Sequence, residues 1–143
     1  MISIDTNILL YAHNSDCPEH AKAFSFLSEM GGSDRVVICE LVLVELYVLL
    51  CNPRVLKKPL SSKEAVDVCR AYRTNPFWRL VENAPVMDQV WQRASRKGFA
   101  RRRIFDARLS LTLQHHQVTQ LATANVGDFE GLGFKRVWNP LEP

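Results

Sequence analysis

The sequence predicts an α/β fold with a mainly parallel central sheet. Short apolar runs that are rich in β-branched residues alternate with longer segments in which apolar residues recur at helical spacing. No Asn-Gly or Asp-Gly pair joins two apolar runs, as a tight hairpin would require. Strands that are separated by helices pair in parallel, and right-handed crossovers place the helices on both faces of the sheet.

The amino-terminal part predicts a buried strand followed by helical segments. The strand lies at 2–4, where the run is short and β-branched. A polar break at 5–7 precedes a second apolar stretch at 8–11. Pro18 suits the first turn of a helix over 18–30, which a pair of glycines ends.

A second strand and two further helices are predicted next. The strand lies at 36–39, and the helix at 41–51 is apolar nearly all round, which predicts deep burial. Ser61 and Glu64 have the spacing of a capping box, in which each side chain bonds the other residue's backbone. They open a helix that ends before Asn75, because the next residue is a proline.

The carboxyl-terminal part continues the alternation. The segment 77–81 is either a short strand or an extended link. Pro85 opens a helix that Gly98 ends, and helical spacing of apolar residues predicts another helix over 104–116. The remaining elements are a strand at 118–123, a loop at 124–133 and a last strand at 136–138.

Composition predicts a single domain over 1–143 whose charge is unevenly distributed. The chain has 143 residues, of which 47% are hydrophobic, so it can bury a core. Its net charge of +3 is too small to identify a partner, but the basic segment 93–108 holds seven basic residues and one acid. This segment predicts a contact with a polyanion. A solvated helix face or a contact with an acidic partner would explain it equally simply.

Neither a signal peptide nor a membrane span is expected. Met1 leads directly into the first strand without a cationic start. The most hydrophobic segment, 36–50, is shorter than the roughly 20 residues that a span needs, and it contains Glu40 and Glu45. We therefore expect a cytoplasmic protein.

Two acidic positions follow predicted strands. Asp5 comes directly after the first strand, and Asp128 lies with Asn125 in the loop after the strand at 118–123. Ligands of open parallel sheets bind beyond the carboxyl ends of the strands, so we expect these side chains at one edge. Locally, Asp5 is equally suited to cap a helix, and Asp128 to a turn.

Two further acids lie on predicted helices. Glu45 projects from an apolar helix, where a buried carboxylate needs an arginine partner, a route to solvent or a cation. Asp106 lies near a helix start, where it complements the helix dipole. If the four acids converge, their repulsion favours a hard divalent cation between them. Without a suitable histidine and cysteine set, Mg²⁺ or Mn²⁺ fits better than Zn²⁺.

The chain resembles the PIN domain family, and most closely its VapC-type toxins. The resemblance extends over essentially the whole chain and rests on four blocks in order: Ile4-Asp5-Thr6-Asn7-Ile8-Leu9, a lone Glu45 on an apolar helix, Phe105-Asp106-Ala107, and Thr123-x-Asn125-x-x-Asp128-Phe129. It implies a three-layer α/β/α sandwich and an endoribonuclease that depends on Mg²⁺ or Mn²⁺ and leaves a 5′-phosphate. It also implies a homodimer that a cognate antitoxin neutralises.

The resemblance assigns roles to individual residues. The catalytic and metal-binding acids would be Asp5, Glu45, Asp106 and Asp128. The supporting residues would be Thr6, Asn7, Thr123 and Asn125. Many members have Asp at the position of Asn125, so the fourth acid rests on Asp128 here. In the basic segment, the residues expected to contact RNA are Arg101, Arg102, Arg103 and Arg108.

Two other functions are compatible with parts of the pattern. A catalytically silent PIN-like module would bind RNA or a protein without cleaving it, but binding alone does not require acids clustered beside a polyanion. A phosphatase with Asp5 as nucleophile would need a second acid two residues later, where this chain has Asn7.

Overall fold

The computed structural model describes residues 1–143 and contains one five-stranded sheet. The strands are β1 (Ile2–Ile4), β2 (Val36–Cys39), β3 (Arg79–Val81), β4 (Gln120–Ala122) and β5 (Arg136–Trp138). The helices are α1 (Thr6–Ala12), α2 (His20–Met30), α3 (Glu40–Leu50), α4 (Ser62–Arg73), α5 (Met87–Ala94), α6 (Arg103–His115) and α7 (Val126–Phe129). All strand pairs are parallel, which confirms the predicted fold class.

The sheet order creates a crevice at its centre. The order is β3-β2-β1-β4-β5, so the chain builds outwards from β1 on one side and then returns to build on the other. Ile4 of β1 lies opposite Ala122 of β4, and the Asp5 amide donates to the Ala122 carbonyl over 2.9 Å. In parallel sheets a reversal of strand order opens a ligand crevice beyond the carboxyl ends of the two strands. Asp5, which follows β1, and Thr123, which follows β4, both lie at this crevice.

The helices form two groups, one on each face of the sheet. In the first group α1 contacts α2 and α3, and α3 contacts α4; in the second group α6 contacts both α5 and α7. Right-handed crossovers account for this division, because the two directions of sheet growth send helices to opposite faces. The sheet between these layers is the centre of the core, with Ile4, Ile38 and Leu121 fully buried. The result is a three-layer α/β/α sandwich.

The predicted capping box is present at the start of α4. The Ser61 hydroxyl accepts a hydrogen bond from the Glu64 amide, and the Glu64 carboxylate accepts one from the Ser61 amide. The segment that was either a strand or a link forms β3 at the sheet edge. None of the seven helices combines the length and the apolar composition that crossing a membrane requires.

Several predicted boundaries were wrong: the strand expected at 118–123 covers only Gln120–Ala122, and the helix expected to end at Gly98 ends at Ala94. The helix expected from Pro18 begins at His20, and the helix expected from Pro85 begins at Met87, because each proline lies in the turn or bend before its helix. The loop expected at 124–133 contains α7. This helix has only four residues, one of them Gly127, so it leaves no periodic apolar pattern.

The prediction that α3 is deeply buried was also wrong. Its buried residues form one face only: Val42, Leu43, Leu46 and Leu50. On the other face, Val44 is 62% exposed, Val48 is 56% exposed, and Glu45 is exposed between them. Helices α1 and α4 pack against α3, while Val44 and Val48 on its second face stay more than half exposed. The apolar helix therefore presents Glu45 on an open apolar surface.

Candidate functional site

Asp5 is held rigidly at the carboxyl end of β1. Its extended backbone makes it the N-cap of α1, and its Oδ1 accepts a hydrogen bond of 2.8 Å from the Thr6 amide. Its Oδ2 accepts a second hydrogen bond of 2.7 Å from the Thr123 hydroxyl. The side chain is nearly buried, with 7% of the residue exposed. Asp5 is thus both a helix cap, as its local sequence indicated, and a member of the crevice.

Thr123 connects the ends of the two central strands. Its hydroxyl donates to Asp5 and accepts hydrogen bonds from the Asn7 side-chain amide at 3.3 Å and the Asn125 backbone amide at 3.0 Å. The Asn7 carbonyl oxygen in turn accepts from the Ala124 amide. Because its proton is committed to the carboxylate, the Thr123 hydroxyl fixes the orientation of Asp5. The resemblance-based supporting set therefore forms one hydrogen-bond network.

Glu45 reaches the site from the open face of α3. Its Oε2 accepts a hydrogen bond of 3.1 Å from the hydroxyl of Thr6, the residue that follows Asp5. The alternative that Glu45 pairs with an arginine was wrong, because the chain has only two ion pairs, Lys63 with Asp67 and Arg73 with Glu40.

One pocket brings the four predicted acids together. It has a volume of about 590 Å³ and lies between the helix layers, at the carboxyl edge of the sheet. Its polar lining includes Asp5, Glu45, Asp106, Asp128, Asn7 and Asn125. Its apolar lining comes mainly from two helices: Leu41, Val44 and Leu49 of α3, and Phe105 and Leu109 of α6. The acids thus come from four separate regions of the sequence.

The pocket has excess negative charge. Burial raises the pKa of Asp5 to about 6 against the opposing effect of its hydrogen bonds from Thr123 and Thr6, and the Glu45 and Asp128 carboxylates raise it further. Burial also raises the pKa of Asp106 to about 6, helped by the carboxylates of Asp5, Asp128 and Glu45 and countered by Arg103. None of these four acids is in an ion pair. A cation that entered the pocket would relieve this repulsion.

The four arginines predicted to contact RNA occupy different environments. Arg102 and Arg108 line the pocket. Arg103 donates from Nη2 to the carbonyls of Asp128 and Glu130, at 2.9 and 3.2 Å, and so ties α6 to the segment that holds Asp128. Arg101 is exposed and lies outside the pocket lining.

The apolar lining was not recognised from the sequence as part of the site. Phe105 was noted only as a neighbour of Asp106, yet it is 67% exposed, and Val44 of α3 was expected to be in the core. Periodicity cannot separate an apolar residue on an uncovered face from one in the core. The only available signal was the position of Phe105 directly beside a candidate acid.

Comparisons with known proteins show which family the chain is similar to. A model of the PIN domain family matches residues 2–135. Ribonuclease VapC24 of Mycobacterium tuberculosis is 57% identical over 141 residues, which are 99% of this chain and 97% of that protein.

Solved structures with the same fold have much lower sequence identity. VapC20 of Mycobacterium tuberculosis, a toxin that cleaves the sarcin–ricin loop, superposes with a TM-score of 0.68 at 19% identity, over 94% of this chain and 96% of that one. The FitAcB structure from Neisseria gonorrhoeae gives a TM-score of 0.66 at 20% identity and covers both chains completely. FitAB bound to a DNA fragment gives a TM-score of 0.66 at 18% identity, over 100% of this chain and 97% of that one. The chain therefore belongs to the PIN domain family, in its VapC branch.

Proposed function

We propose that this chain is a metal-dependent endoribonuclease, the toxin of a type II toxin–antitoxin pair. The observation that carries the proposal is the convergence of four carboxylates in one pocket with no basic side chain paired to them. The relative that is 57% identical is named a ribonuclease, which supports RNA as the substrate.

The donor set fits a hard divalent cation. Asp5, Glu45, Asp106 and Asp128 offer only oxygen ligands, which Mg²⁺ and Mn²⁺ prefer. No three acidic, histidine or cysteine side chains lie close enough to chelate an ion directly as they stand. The site therefore suits a hydrated cation, because Mg²⁺ usually keeps several of its waters. When bound, the ion supplies a water of lowered pKa and neutralises charge on the phosphodiester.

The protein residues would divide the remaining work. Thr123 and Thr6 fix the carboxylates of Asp5 and Glu45 through hydrogen bonds, so these groups need little reorganisation when substrate binds. Asp128 would fill the fourth acidic position, because the charge of its carboxylate raises the pKa of both Asp5 and Asp106. Asn125 offers only an uncharged amide. Asn125 would orient the attacking water.

Phosphate binding would fall to the two arginines of the pocket. Arg102 and Arg108 are the basic side chains that line it, and contacts with phosphates supply most of the affinity for nucleic acid that is independent of sequence. They place positive charge around an acidic centre, so that a polyanion can approach carboxylates that would otherwise repel it.

Partners of the chain are part of the same proposal. An antitoxin would cover the acidic pocket, and the chain would form a homodimer in the cytoplasm. The exposed apolar face of α3, with Val44 and Val48, supports a protein partner, because such surfaces are usually covered in an assembly. The structural neighbour VapC20 is named a toxin, which supports a partner that neutralises it.

A catalytically silent binding module is the alternative, and the site disfavours it. Clustering four acids beside a polyanion weakens binding unless a cation is also recruited. A module that only binds RNA could use Asp5 as a helix cap, but it would gain nothing from three further acids in the same pocket.

Cleavage assays with acid-pocket variants test the proposal. Purified chain should cleave single-stranded RNA in Mg²⁺ or Mn²⁺ and not in EDTA, and the products should carry 5′-phosphates. Asp5→Ala and Asp106→Asn should each reduce the rate at least about 100-fold, because each removes charge that holds the cation. Asp67→Asn is the matched control, because Asp67 lies on the surface of α4 in an ion pair with Lys63. Undiminished cleavage in both pocket variants would exclude this site.

A further inference from the structure

We propose that the Phe105 ring is a stacking platform for an unpaired nucleobase next to the bond that is cleaved. The inference rests on the proposed ribonuclease function and extends it, since it states how the pocket holds the base beside the cleaved bond. It also adds a substrate-positioning residue to a site so far described by its acids and arginines.

The exposure of Phe105 has no structural explanation within the chain. At 67% it is the most exposed large hydrophobic residue, although it belongs to α6, which buries five consecutive residues from Leu109 to Leu113. The ring therefore contributes little to the core. Its burial would become favourable only when another molecule covers it.

The position of the ring links it to the acidic centre. Phe105 directly precedes Asp106 in the first turn of α6, and both residues line the same pocket. A phosphodiester above the carboxylates therefore brings its flanking nucleotides close to the ring. Aromatic side chains bind unpaired bases by stacking, and this works with every base because each has a π-face.

A cation beside the ring fits the same ligand. The Arg108 guanidinium lies 6.0 Å from the ring centre, it makes no ion pair with the acids, and its buried Nε has no hydrogen-bond partner. A base on the ring and its phosphate near Arg108 would use both groups together. A protein side chain could satisfy the ring alone, but a nucleotide supplies an aromatic face and an anion in one unit.

The opposite wall of the pocket indicates how selective the contact is. Leu41, Val44 and Leu49 of α3 face the pocket with aliphatic side chains that offer no hydrogen bond to a base edge. Stacking between these surfaces would tolerate any base but would require it to be unstacked from its neighbours. Bases in a duplex do not meet this requirement, whereas bases in loops and single strands do.

Binding measurements with altered RNA test the contact directly. The probe is a fluorescent oligoribonucleotide that spans a mapped cleavage site, and a series of variants replaces one nucleotide at a time by an abasic riboside. Binding is measured by anisotropy with Ca²⁺ in place of Mg²⁺, because Ca²⁺ also binds oxygen ligands and offsets the repulsion between the acids and the RNA, but acidifies its bound water less and so slows cleavage. One abasic position next to the cleaved bond should weaken binding to the wild-type chain by about 5- to 150-fold, the range that corresponds to single base–aromatic stacks.

Variants of the ring should reproduce this loss. Phe105→Ala should weaken binding of intact RNA by the same factor, and the sensitive abasic substitution should then have no further effect. Phe105→Tyr should retain binding and Phe105→Leu should not, because only tyrosine preserves the π-face. Phe77→Ala is the control, since Phe77 is 56% exposed and lies outside the pocket.

Three outcomes would overturn the proposal. First, Phe105→Ala could bind RNA as tightly as the wild-type chain and Phe77→Ala bind it. Second, the loss of affinity from the abasic substitution could add to the loss from Phe105→Ala. Alternatively, Phe105→Ala could leave RNA binding intact while dissolving a dimer or a complex with a protein partner in size-exclusion chromatography, which would assign the ring to a protein interface. Failure of the wild-type chain to cleave RNA with Mg²⁺ would instead remove the ribonuclease function and this inference with it.

Discussion

The hydroxyl of Thr123 donates a 2.7 Å hydrogen bond to Asp5, from which it is separated by 118 residues of sequence. The bond joins the ends of β1 and β4, the two strands between which the sheet order reverses. It opposes the effect of burial, because it stabilises the charged form of a carboxylate that desolvation would otherwise protonate more strongly. Thr123 thus helps to keep Asp5 charged at neutral pH.

Thr123→Val should therefore weaken both the fold and the site. Valine keeps the shape of threonine but removes the donor to Asp5 and the acceptor for Asn7, in a fully buried position. We expect a loss of about 1–3 kcal/mol in the free energy of unfolding, measured by urea denaturation. The pKa of Asp5 should rise above its present value of about 6, so the acidic limb of the pH–rate profile should move to higher pH.

Thr123→Ser provides the matched comparison. Serine retains the hydroxyl and should restore the position of the acidic limb even if stability stays lower through the lost methyl group. An acidic limb that is the same in the valine and serine variants would show that the hydrogen bond does not set the charge of Asp5.

Asp106→Asn should stabilise the metal-free protein at alkaline pH. The pKa of Asp106 is raised from 3.8 to about 6, so the folded state binds a proton more tightly than the unfolded state does. The stability that this provides is complete below pH 3.8 and is lost as pH rises through about 6. Since Asp106 is partly exposed, we expect a gain of only about 1 kcal/mol for the asparagine variant at pH 8, and none at pH 3.5.

Urea denaturation in EDTA at a series of pH values measures this difference. Asp67→Asn serves as the control, because this exposed acid belongs to a surface ion pair and should show no such pH-dependent gain. If the difference in the free energy of unfolding between wild type and Asp106→Asn stays constant from pH 3.5 to pH 8, the raised pKa of Asp106 is contradicted.

Divalent cations should reverse the sign of this effect. Mg²⁺ or Mn²⁺ that binds only the folded chain raises the melting temperature, because it stabilises the folded state by RT ln(1 + c/Kd), where c is the concentration of free ion. The gain should be large at pH 8 and much smaller at pH 5, because Asp5 and Asp106 are then mostly protonated. In Asp106→Asn the gain should shrink at pH 8 too. Differential scanning fluorimetry measures these gains in melting temperature. Equal gains for the wild-type chain and Asp106→Asn would place the cation elsewhere.

The fold class could be predicted from the sequence because its elements leave local signals, whereas the expectation that the four acids meet in one pocket also drew on the family resemblance. Strands and helices alternate, the capping box at Ser61 has its own spacing, and Asp5 follows a β-branched run. The order of the strands left no such signal. It depends on contacts such as Ile4 with Ala122, which are distant in sequence.

The exposed face of α3 and the different environments of the arginines could not be predicted, because they depend on how the helices pack against one another. Val44 and Val48 have the composition of core residues, and only the packed structure shows that one face of α3 is open. The arginines illustrate the same limit, because a run of like charges does not tell which guanidinium faces a pocket and which, like that of Arg103, bonds backbone carbonyls.

Single substitutions of the arginines should separate these environments. Arg102→Ala and Arg108→Ala should each weaken RNA binding and reduce the slope of log K against log salt by about 0.7 if one phosphate contact is lost in each. Arg101→Ala should leave that slope nearly unchanged, because Arg101 lies outside the pocket lining.

Arg103→Ala should instead lower stability and loosen α7, because it removes hydrogen bonds to the carbonyls of Asp128 and Glu130. Fluorescence anisotropy at several salt concentrations measures the slopes, and hydrogen exchange of the α7 amides measures the loosening. A slope that falls equally in all four variants would mean that the basic segment acts as a diffuse charge, with no specific contacts made by the two arginines of the pocket.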